Sequence, residues 1–130
     1  TNAMKYYISG KIGKENPNRE TIAKFKKAED MLKASGHDVF NPANSGLGPH
    51  AESLAHASVH KTSFYQEILL LDIQQLVRCD AVLVLPDWQQ SPGAKVEIML
   101  AAALGIPMFT EDTNGMLVKM KFDVKREIEQ

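Results

Sequence analysis

The chain has 130 residues, of which 44% are hydrophobic and 24% are charged, and its formal net charge is −1. These values are typical of one globular domain with a proper hydrophobic core. Scattered Lys and Arg residues without a basic cluster argue against a nucleic-acid-binding surface. No apolar run reaches the ~18 residues that a membrane span needs. We therefore expect neither nucleic acid nor membrane as a partner.

The start of the chain and its single cysteine bear on cellular context. Residues 1–3 precede Met4 and are interpreted as a cloning remnant, so residues 4–130 are taken as one domain. Cys79 is the only cysteine, which excludes an internal disulfide and fits a reducing compartment. It is expected to be a small buried residue. The N-terminus carries no signal-peptide pattern. Together these features predict a cytoplasmic protein.

The first third of the sequence alternates between strand and helix patterns. Lys5–Ser9 is a short β-rich run that ends at Gly10, and it predicts the first strand. After a loop, Asn18 is a good N-cap for a helix that runs to Ser35, because apolar residues recur there at helical spacing. Residues 37–41 predict a second strand.

The middle of the sequence contains the longest stretch without a clear pattern. Residues 43–60 are rich in Gly, Ser, Ala, Asn and His, and they predict a long mobile loop with at most one helical turn. Ser63–Arg78 has helical periodicity. The continuous apolar run Ala81–Leu85 predicts a strand that is buried on both faces of a parallel sheet. An apolar helix, then a strand over Pro107–Thr110, should follow.

This order predicts an open, mainly parallel, doubly wound α/β sheet of about five strands, of flavodoxin or Rossmann type. The alternation from Gly115 onward predicts the last strand, and a short charged helix should end the chain. Such sheets bind ligands at the carboxyl ends of their strands. The loops expected to meet there are 10–17, 43–60 and 86–93.

Glu97 is the only charged residue between Val96 and Pro107, in a helix that should be buried on nearly all sides. A buried carboxylate is costly unless it is paired, hydrogen-bonded or exposed in a pocket. We expect it in the first turn or so of the helix, after Ser91 and Gly93, where the helix dipole favours negative charge. A catalytic role and a merely favourable helix-terminal charge both explain it.

Asp72 is a second candidate carboxylate, on the preceding helix. It follows three leucines, so its side chain need not be well solvated. Two neighbouring acids shift each other's pKa values apart, which suits acid–base chemistry. The alternative is an ordinary solvated acid on a helix surface.

The turn from Gly10 to Gly13 is a candidate ligand loop. Its glycines would let backbone N–H groups approach a phosphate or sugar, and Lys11 or Lys14 would add positive charge. The turn lacks both the dinucleotide-binding and the P-loop spacings, so a plain tight turn is the alternative.

His56 and His60 have the i, i+4 spacing that can present two metal ligands on one helical face. No convincing third ligand accompanies them. The sequence therefore predicts no metal site.

Three segments together resemble a known group. They are YISGKIG, which starts at Tyr7, the helix that carries Asp72, and DAVLVLPDWQQSPGAKVEIMLAAALGIP, which starts at Asp80. The chain resembles the nucleoside 2-deoxyribosyltransferase-like superfamily, and within it a short uncharacterised branch. The similarity extends to about Phe109, whereas residues 43–60 and the tail match poorly.

The resemblance implies roles for the matching residues. A glutamate at the position of Glu97 attacks the sugar C1′ and displaces the base, and water or a second base resolves the glycosyl-enzyme. Asp72 matches the residue that assists departure of the base, and Tyr7 matches the residue that orients the glutamate. Gly10 and Gly93 match backbone contacts to the sugar or its 5′ group. Neither a metal nor an organic cofactor is required.

Ser91 departs from the transferases, which usually have an aspartate six residues before the nucleophile. A serine there resembles the hydrolases that cleave deoxynucleoside 5′-monophosphates, in which it helps bind the phosphate. A hydroxyl beside helix N-terminal N–H groups suits a phosphate. Lys11, Gly13 and Asp87 complete the expected substrate-binding set. Trp88 is a candidate stacking wall for the base, with packing of the indole into the protein as the alternative.

These expectations converge on an enzyme that cleaves the N-glycosidic bond of a nucleoside or nucleoside 5′-monophosphate, by hydrolysis or base transfer. Related sites lie near subunit contacts, so a homo-oligomer is expected. The alternative is a nucleotide-binding or sensor module without catalysis. Phosphoribosyl chemistry of the lysine-decarboxylase-like kind is disfavoured, because the PGGxGT signature is missing.

Overall fold

The computed structural model describes residues 3–13 and 17–122. Lys14 and the predicted charged helix at the end of the chain lie outside these residues. The strands of the described part are β1 (Lys5–Ser9), β2 (Asp38–Phe40), β3 (Ala81–Val84), β4 (Met108–Glu111) and β5 (Leu117–Lys119). They form one sheet in the order β2-β1-β3-β4-β5. The first four are parallel and β5 runs antiparallel to β4, which confirms the predicted mainly parallel α/β sheet.

The helices of the described part are α1 (Arg19–Ala34), α2 (Gly48–Ala57), α3 (Phe64–Leu76) and α4 (Pro92–Leu104). Short 3₁₀ turns occupy residues 42–44 and 88–90. Asn18 caps α1 as predicted, since its side chain accepts a hydrogen bond from the Thr21 N–H at 2.8 Å. Across residues 3–13 and 17–122, no helix has both the length and the apolar character that a membrane crossing requires.

Side chains alternate between the two faces of the sheet and build two hydrophobic layers. On one face, Tyr6 and Ile8 of β1 pack with buried residues of α1. On the other face, Tyr7 packs with buried residues of α3, β3 and α4, among them Leu76 and Ile98. β3 contributes buried residues to both layers, as its continuous apolar run predicts. Helices therefore cover both faces of the sheet.

The prediction of a long loop over residues 43–60 was wrong, because α2 occupies most of it. Pro49 lies in the first turn, where its missing N–H costs no hydrogen bond. Alanine and leucine are strong helix formers, and Ala51 is fully buried. Gly, Ser and Asn suggested a loop by composition, whereas Gly46 and Gly48 lie at or near the start of a short helix that packs against α3.

β1 and β3 are neighbours, and the chain leaves them toward opposite faces of the sheet. The connection after β1 leads to α1, and the connection after β3 leads to α4. A crevice forms where two such connections diverge, at the carboxyl ends of the strands. The fold thus places the loop after Ser9, the loop after Val84 and the start of α4 around one crevice.

Candidate active site

A cavity of about 320 Å³ lies at this crevice. The loop after β1, the segment before α2, one face of α3 and the start of α4 form its walls. Its lining consists of residues 10–13, 17, 42–46, 48, 64, 65, 68, 69, 72, 90–94 and 97. Two of the three loops predicted to meet there contribute directly, and the third contributes through its first residues and the beginning of α2.

Glu97 lies in this cavity with both carboxylate oxygens held by hydroxyl groups of β1. The Tyr7 hydroxyl donates to Oε2 at 2.6 Å, and the Ser9 hydroxyl donates to Oε1 at 2.8 Å. Residues two apart in a strand face the same side, so β1 presents both hydroxyls to α4. The Glu97 side chain is only 6% exposed. Its position is therefore fixed from two directions.

Glu97 is the sixth residue of α4, one turn deeper than expected, because the helix begins at Pro92. The helix dipole acts mainly over the first turn, so it does not explain the charge here. Burial raises the pKa of Glu97 to about 7, although the hydrogen bonds from Tyr7 and Ser9 lower it. A carboxylate that is partly ionised at neutral pH and held rigidly suits a nucleophile.

Asp72 is buried in α3 and also lines the cavity, so the alternative of a solvated surface acid is wrong. It is 7% exposed, and among the described residues its Oδ1 atom has no hydrogen-bond partner. Burial, and then the charge of Glu97, raise the pKa of Asp72 to about 8. At neutral pH this carboxyl is mostly protonated. The site thus pairs a proton donor with a carboxylate of lower pKa.

Tyr7 is fully buried beneath the cavity and stacks on Phe40 of β2, with ring centroids 5.5 Å apart and planes at 16°. Burial, and then the nearby charges of Glu97 and Asp72, hold the pKa of the Tyr7 phenol well above its usual value. The phenol therefore stays protonated and acts as a hydrogen-bond donor to Glu97.

Both glycines of the turn after β1 line the cavity, and each has a conformational or packing reason to be glycine. A Cβ on Gly10 would lie 2.8 Å from Leu85 Cβ, so only glycine lets the two strand ends approach. Gly13 has a φ of +98°, a conformation that other residues rarely adopt. Their predicted backbone contacts to a sugar or phosphate remain predictions.

Ser91 and Gly93 mark the start of α4 at the cavity wall. Ser91 caps the helix, because its Oγ accepts a hydrogen bond from the Ala94 N–H at 3.1 Å. A Cβ on Gly93 would lie 2.9 Å from the hydroxyl oxygen of Tyr65. Both predicted residues thus lie where a ligand in the cavity meets the N-terminus of a helix.

Lys11 lines the cavity, whereas Asp87 does not. Asp87 accepts hydrogen bonds from the Lys11 N–H at 3.0 Å and from Lys24 Nζ at 2.5 Å. Lys24 Nζ also donates to the Lys11 carbonyl. Burial alone would raise the pKa of Asp87, but the bonds from Lys24 and Lys11 outweigh it and leave the pKa below its usual value. Asp87 therefore holds the Lys11 loop in place.

Trp88 also lies outside the cavity lining, contrary to its predicted place as a stacking wall. Its apolar indole packs against the buried layer that contains Tyr7. The ring also meets Phe122 edge-on, with centroids 6.0 Å apart. Aromatic lining of the cavity comes from Phe64 and Tyr65 instead.

The histidine pair does not share a helical face, because His60 lies beyond the end of α2 at Ala57. In the described ranges, no group of three or more His, Cys, Asp or Glu side chains is arranged to hold a metal ion. Cys79 is buried as predicted, and burial raises the pKa of its thiol to about 11.

Comparison with known proteins adds a family and a fold. A family model described as a domain of unknown function, DUF4406, matches residues 4–110. The chain belongs to the DUF4406 family. A search of curated proteins finds no match. Among solved structures, this DUF4406 chain is similar to the 2-deoxyribosyltransferase from the psychrotolerant bacterium Bacillus psychrosaccharolyticus, with 19% identity and a TM-score of 0.55.

That structural match covers 88% of this DUF4406 chain and 76% of the transferase. At this identity it establishes a shared α/β fold.

Two residues at the site of this DUF4406 protein were not predicted from the sequence: Ser9, which holds Glu97, and Tyr65, which lines the cavity. Ser9 was placed only as the end of a strand, although its spacing of two from Tyr7 puts both hydroxyls on one face. Tyr65 lies seven residues before Asp72, a spacing that repeats the same helical face. Both spacings can be read from the sequence, but they indicate site residues only once Glu97 and Asp72 are known to face one cavity.

Asp72 makes a prediction about stability and pH. Its pKa of about 8 in the folded protein exceeds the usual unfolded value near 3.9, so the folded state holds the proton more tightly. Asp72 therefore lowers the free energy of unfolding as pH rises from about 4 to about 8. The free energy of unfolding of Asp72→Asn, relative to wild type, should therefore increase by at least about 1.4 kcal/mol between pH 5 and pH 8.5. This is the free energy that corresponds to one pKa unit.

Denaturant unfolding of both proteins at the two pH values measures this difference. Asp38→Asn, at an exposed acid of β2, is the matched control and should follow the wild-type curve. A stability difference between Asp72→Asn and wild type that stays constant with pH would contradict the burial of an unpartnered carboxyl.

Proposed function

We propose that the protein cleaves the N-glycosidic bond of a nucleoside or nucleoside 5′-monophosphate, by hydrolysis or base transfer, through a covalent glycosyl–Glu97 intermediate. One observation carries the proposal. A buried carboxylate at the cavity has both oxygens held by Tyr7 and Ser9, and a second buried carboxyl of raised pKa, Asp72, lines the same cavity. The fold shared with a 2-deoxyribosyltransferase is consistent with this chemistry.

In the first step, an ionised oxygen of Glu97 attacks the sugar C1′. The bond from C1′ to the base nitrogen breaks, and its electron pair leaves with the base. Asp72 gives its proton to the departing base, for which a protonated carboxyl at neutral pH is required. Tyr7 and Ser9 keep the Glu97 carboxylate oriented, so little reorganisation is needed as the new bond forms.

In the second step, the now ionised Asp72 takes a proton from water, and the water oxygen attacks C1′. The ester bond to Glu97 breaks and the carboxylate is regenerated. A second base that attacks in place of water gives transfer instead of hydrolysis. Asp72 thus returns to its starting protonation state in either branch. This two-step use of two carboxyl groups is the logic of retaining glycosyl transfer.

The start of α4 supports a substrate with a 5′-phosphate. Pro92 has no N–H, and the N–H groups of Ala94 and Lys95 already bond to Ser91. A phosphate there would meet the Gly93 N–H and the Ser91 hydroxyl, whose hydrogen is not used in capping. The positive end of the helix dipole favours an anion at this position, and Lys11 on the facing loop lines the same cavity.

We also propose that the protein associates with further copies of itself through α3 and α4. Helix α4 carries apolar residues on all sides, which is typical of a helix that is covered all round. Val96 and Leu104 on α4 are 47% and 53% exposed, and Leu70 and Val77 on the adjacent α3 are 53% and 44% exposed. A second copy of the same surface would cover these residues.

Sedimentation of the purified protein tests this association. A dimer or larger species is expected at micromolar concentration, and Val96→Lys with Leu104→Lys should give a monomer. Ile22→Lys, at an exposed apolar residue of α1, is the control and should leave the mass unchanged. A wild-type monomer throughout would contradict the interface.

Loss of the nucleophile tests the proposed reaction. Wild-type protein should release free base from at least one member of a panel of nucleosides and 5′-monophosphates, followed by chromatography. Glu97→Ala should lower the rate by at least about 10⁴-fold, the scale seen when a covalent nucleophile is removed. Glu20→Gln, at an exposed acid of α1, is the control and should retain the rate.

Rapid acid quenching and intact-mass measurement should also show a glycosyl adduct on wild-type protein but not on Glu97→Ala. Substantial turnover by Glu97→Ala would remove the assigned nucleophile. Intact nucleotide after long incubation with wild-type protein would favour a binding module instead.

The pH dependence of kcat/KM should be bell-shaped and narrow. The rate should rise as Glu97 ionises, with a pKa of about 7, and fall as Asp72 loses its proton, with a pKa of about 8. The two carboxyls interact, so the apparent values belong to the pair. Asp72→Asn should abolish the alkaline limb and keep the acid limb. A wild-type profile that is flat from pH 6 to 9 would exclude this pair as the acid and the nucleophile.

A further inference from the structure

The hydroxyl of Tyr65 lies against the first turn of α4, in the cavity. A Cβ built on Gly93 would be 2.9 Å from the Tyr65 oxygen, and 3.9 Å from Ser91 Oγ. Tyr65, Ser91 and Gly93 all line the cavity. Two hydroxyl groups, from different helices, therefore meet at one end of it.

The acids occupy the other end. Tyr65, Leu69 and Asp72 share one face of α3 and all line the cavity. Asp72 lies seven residues after Tyr65, and Glu97 lies six residues after Ser91. At 1.5 Å per residue, the backbone position of each acid is roughly 9–10.5 Å along the helix axis from that of the hydroxyl residue. The two helices thus form one site with an acidic end and a hydroxyl end.

We propose that Tyr65 is a specificity-determining residue whose hydroxyl donates a hydrogen bond to the 5′-phosphate of the substrate, beside Ser91 and the Gly93 N–H. The inference rests on the proposed function. When C1′ faces Glu97, the 5′ substituent on the other side of the sugar ring extends toward the hydroxyl end. The Asp72 oxygen that lacks a partner among the described residues lies at the acidic end, where the base departs.

The chemistry of the hydroxyl end selects for phosphate. Phosphate oxygens accept hydrogen bonds from several donors at once, and bonds to a charged acceptor are the strong ones. A nucleoside without the phosphate offers a single 5′-hydroxyl, which uses fewer of these donors. Tyr65 therefore contributes to discrimination between the two substrate forms rather than to bond cleavage.

Binding selectivity tests the proposal without turnover. Affinities of the four common deoxynucleosides and their 5′-monophosphates are measured by calorimetry for Glu97→Gln and for Glu97→Gln with Tyr65→Phe. The preference for the monophosphate should fall by about 10- to 100-fold in the double variant, the scale of one hydrogen bond to a charged group. Tyr6→Phe makes the same chemical change on the opposite face of the sheet, outside the cavity, and should keep the preference.

An unchanged preference, an equal loss for both ligand forms, or no binding of either form to Glu97→Gln would overturn the role of Tyr65. Failure of wild-type protein to release base would instead overturn the proposed function, because the binding measurement does not depend on catalysis. The two failures are therefore distinguishable.

A stability cycle checks the position of the hydroxyl. Gly93→Ala should lower Tm clearly in the wild-type background, because the new methyl group meets the Tyr65 oxygen at 2.9 Å. In the Tyr65→Phe background the next contact is Leu69 Cδ1 at 3.7 Å, an ordinary distance, so the loss should be smaller. Equal losses in both backgrounds would show that the hydroxyl lies elsewhere and would overturn the proposal.

Discussion

The carboxylate of Glu97, held between two hydroxyls of β1, is the interaction on which the rest of the site depends. Burying a charge is unfavourable unless hydrogen bonds replace its water. Tyr7 and Ser9 supply that replacement at 2.6 and 2.8 Å. The arrangement requires β1 to run directly beneath α4, which the position of β1 between β2 and β3 and the connection from β3 provide. Asp72 has no such replacement at Oδ1 within the described chain, and its burial, and then the charge of Glu97, raise its pKa.

Much of the fold could be predicted from the sequence, because its periodicities are clear. The β-rich run Lys5–Ser9, the helical spacing in α1 and the continuous apolar run of β3 each correspond to an element with nearly the predicted bounds. The helix α2 could not be predicted in the same way. It is short and weakly amphipathic, and its formation depends on packing against α3, a contact that composition alone does not reveal.

The site also contains residues whose place the sequence predicted and residues whose place it did not. Glu97 was a candidate because it is the only charged residue between Val96 and Pro107, and Asp72 was a candidate because it follows three leucines. Asp87 and Trp88 were expected at the cavity because they are adjacent in sequence to its loop, but their side chains turn to Lys24 and to the apolar layer. Adjacency along the chain does not determine the direction of a side chain.

The alternation of β1 has a consequence for folding. A slip of one residue in its pairing with β2 and β3 would exchange the faces of the strand. Tyr6 and Ile8 would then face Glu97 in place of Tyr7 and Ser9, and the Ser9 hydroxyl would enter the apolar layer of α1. Both halves of that exchange are unfavourable. The strand register that packs Ile8 into the layer of α1 is therefore the register that brings Tyr7 and Ser9 to Glu97, since a misaligned strand would lose its core packing together with its hydroxyl contacts.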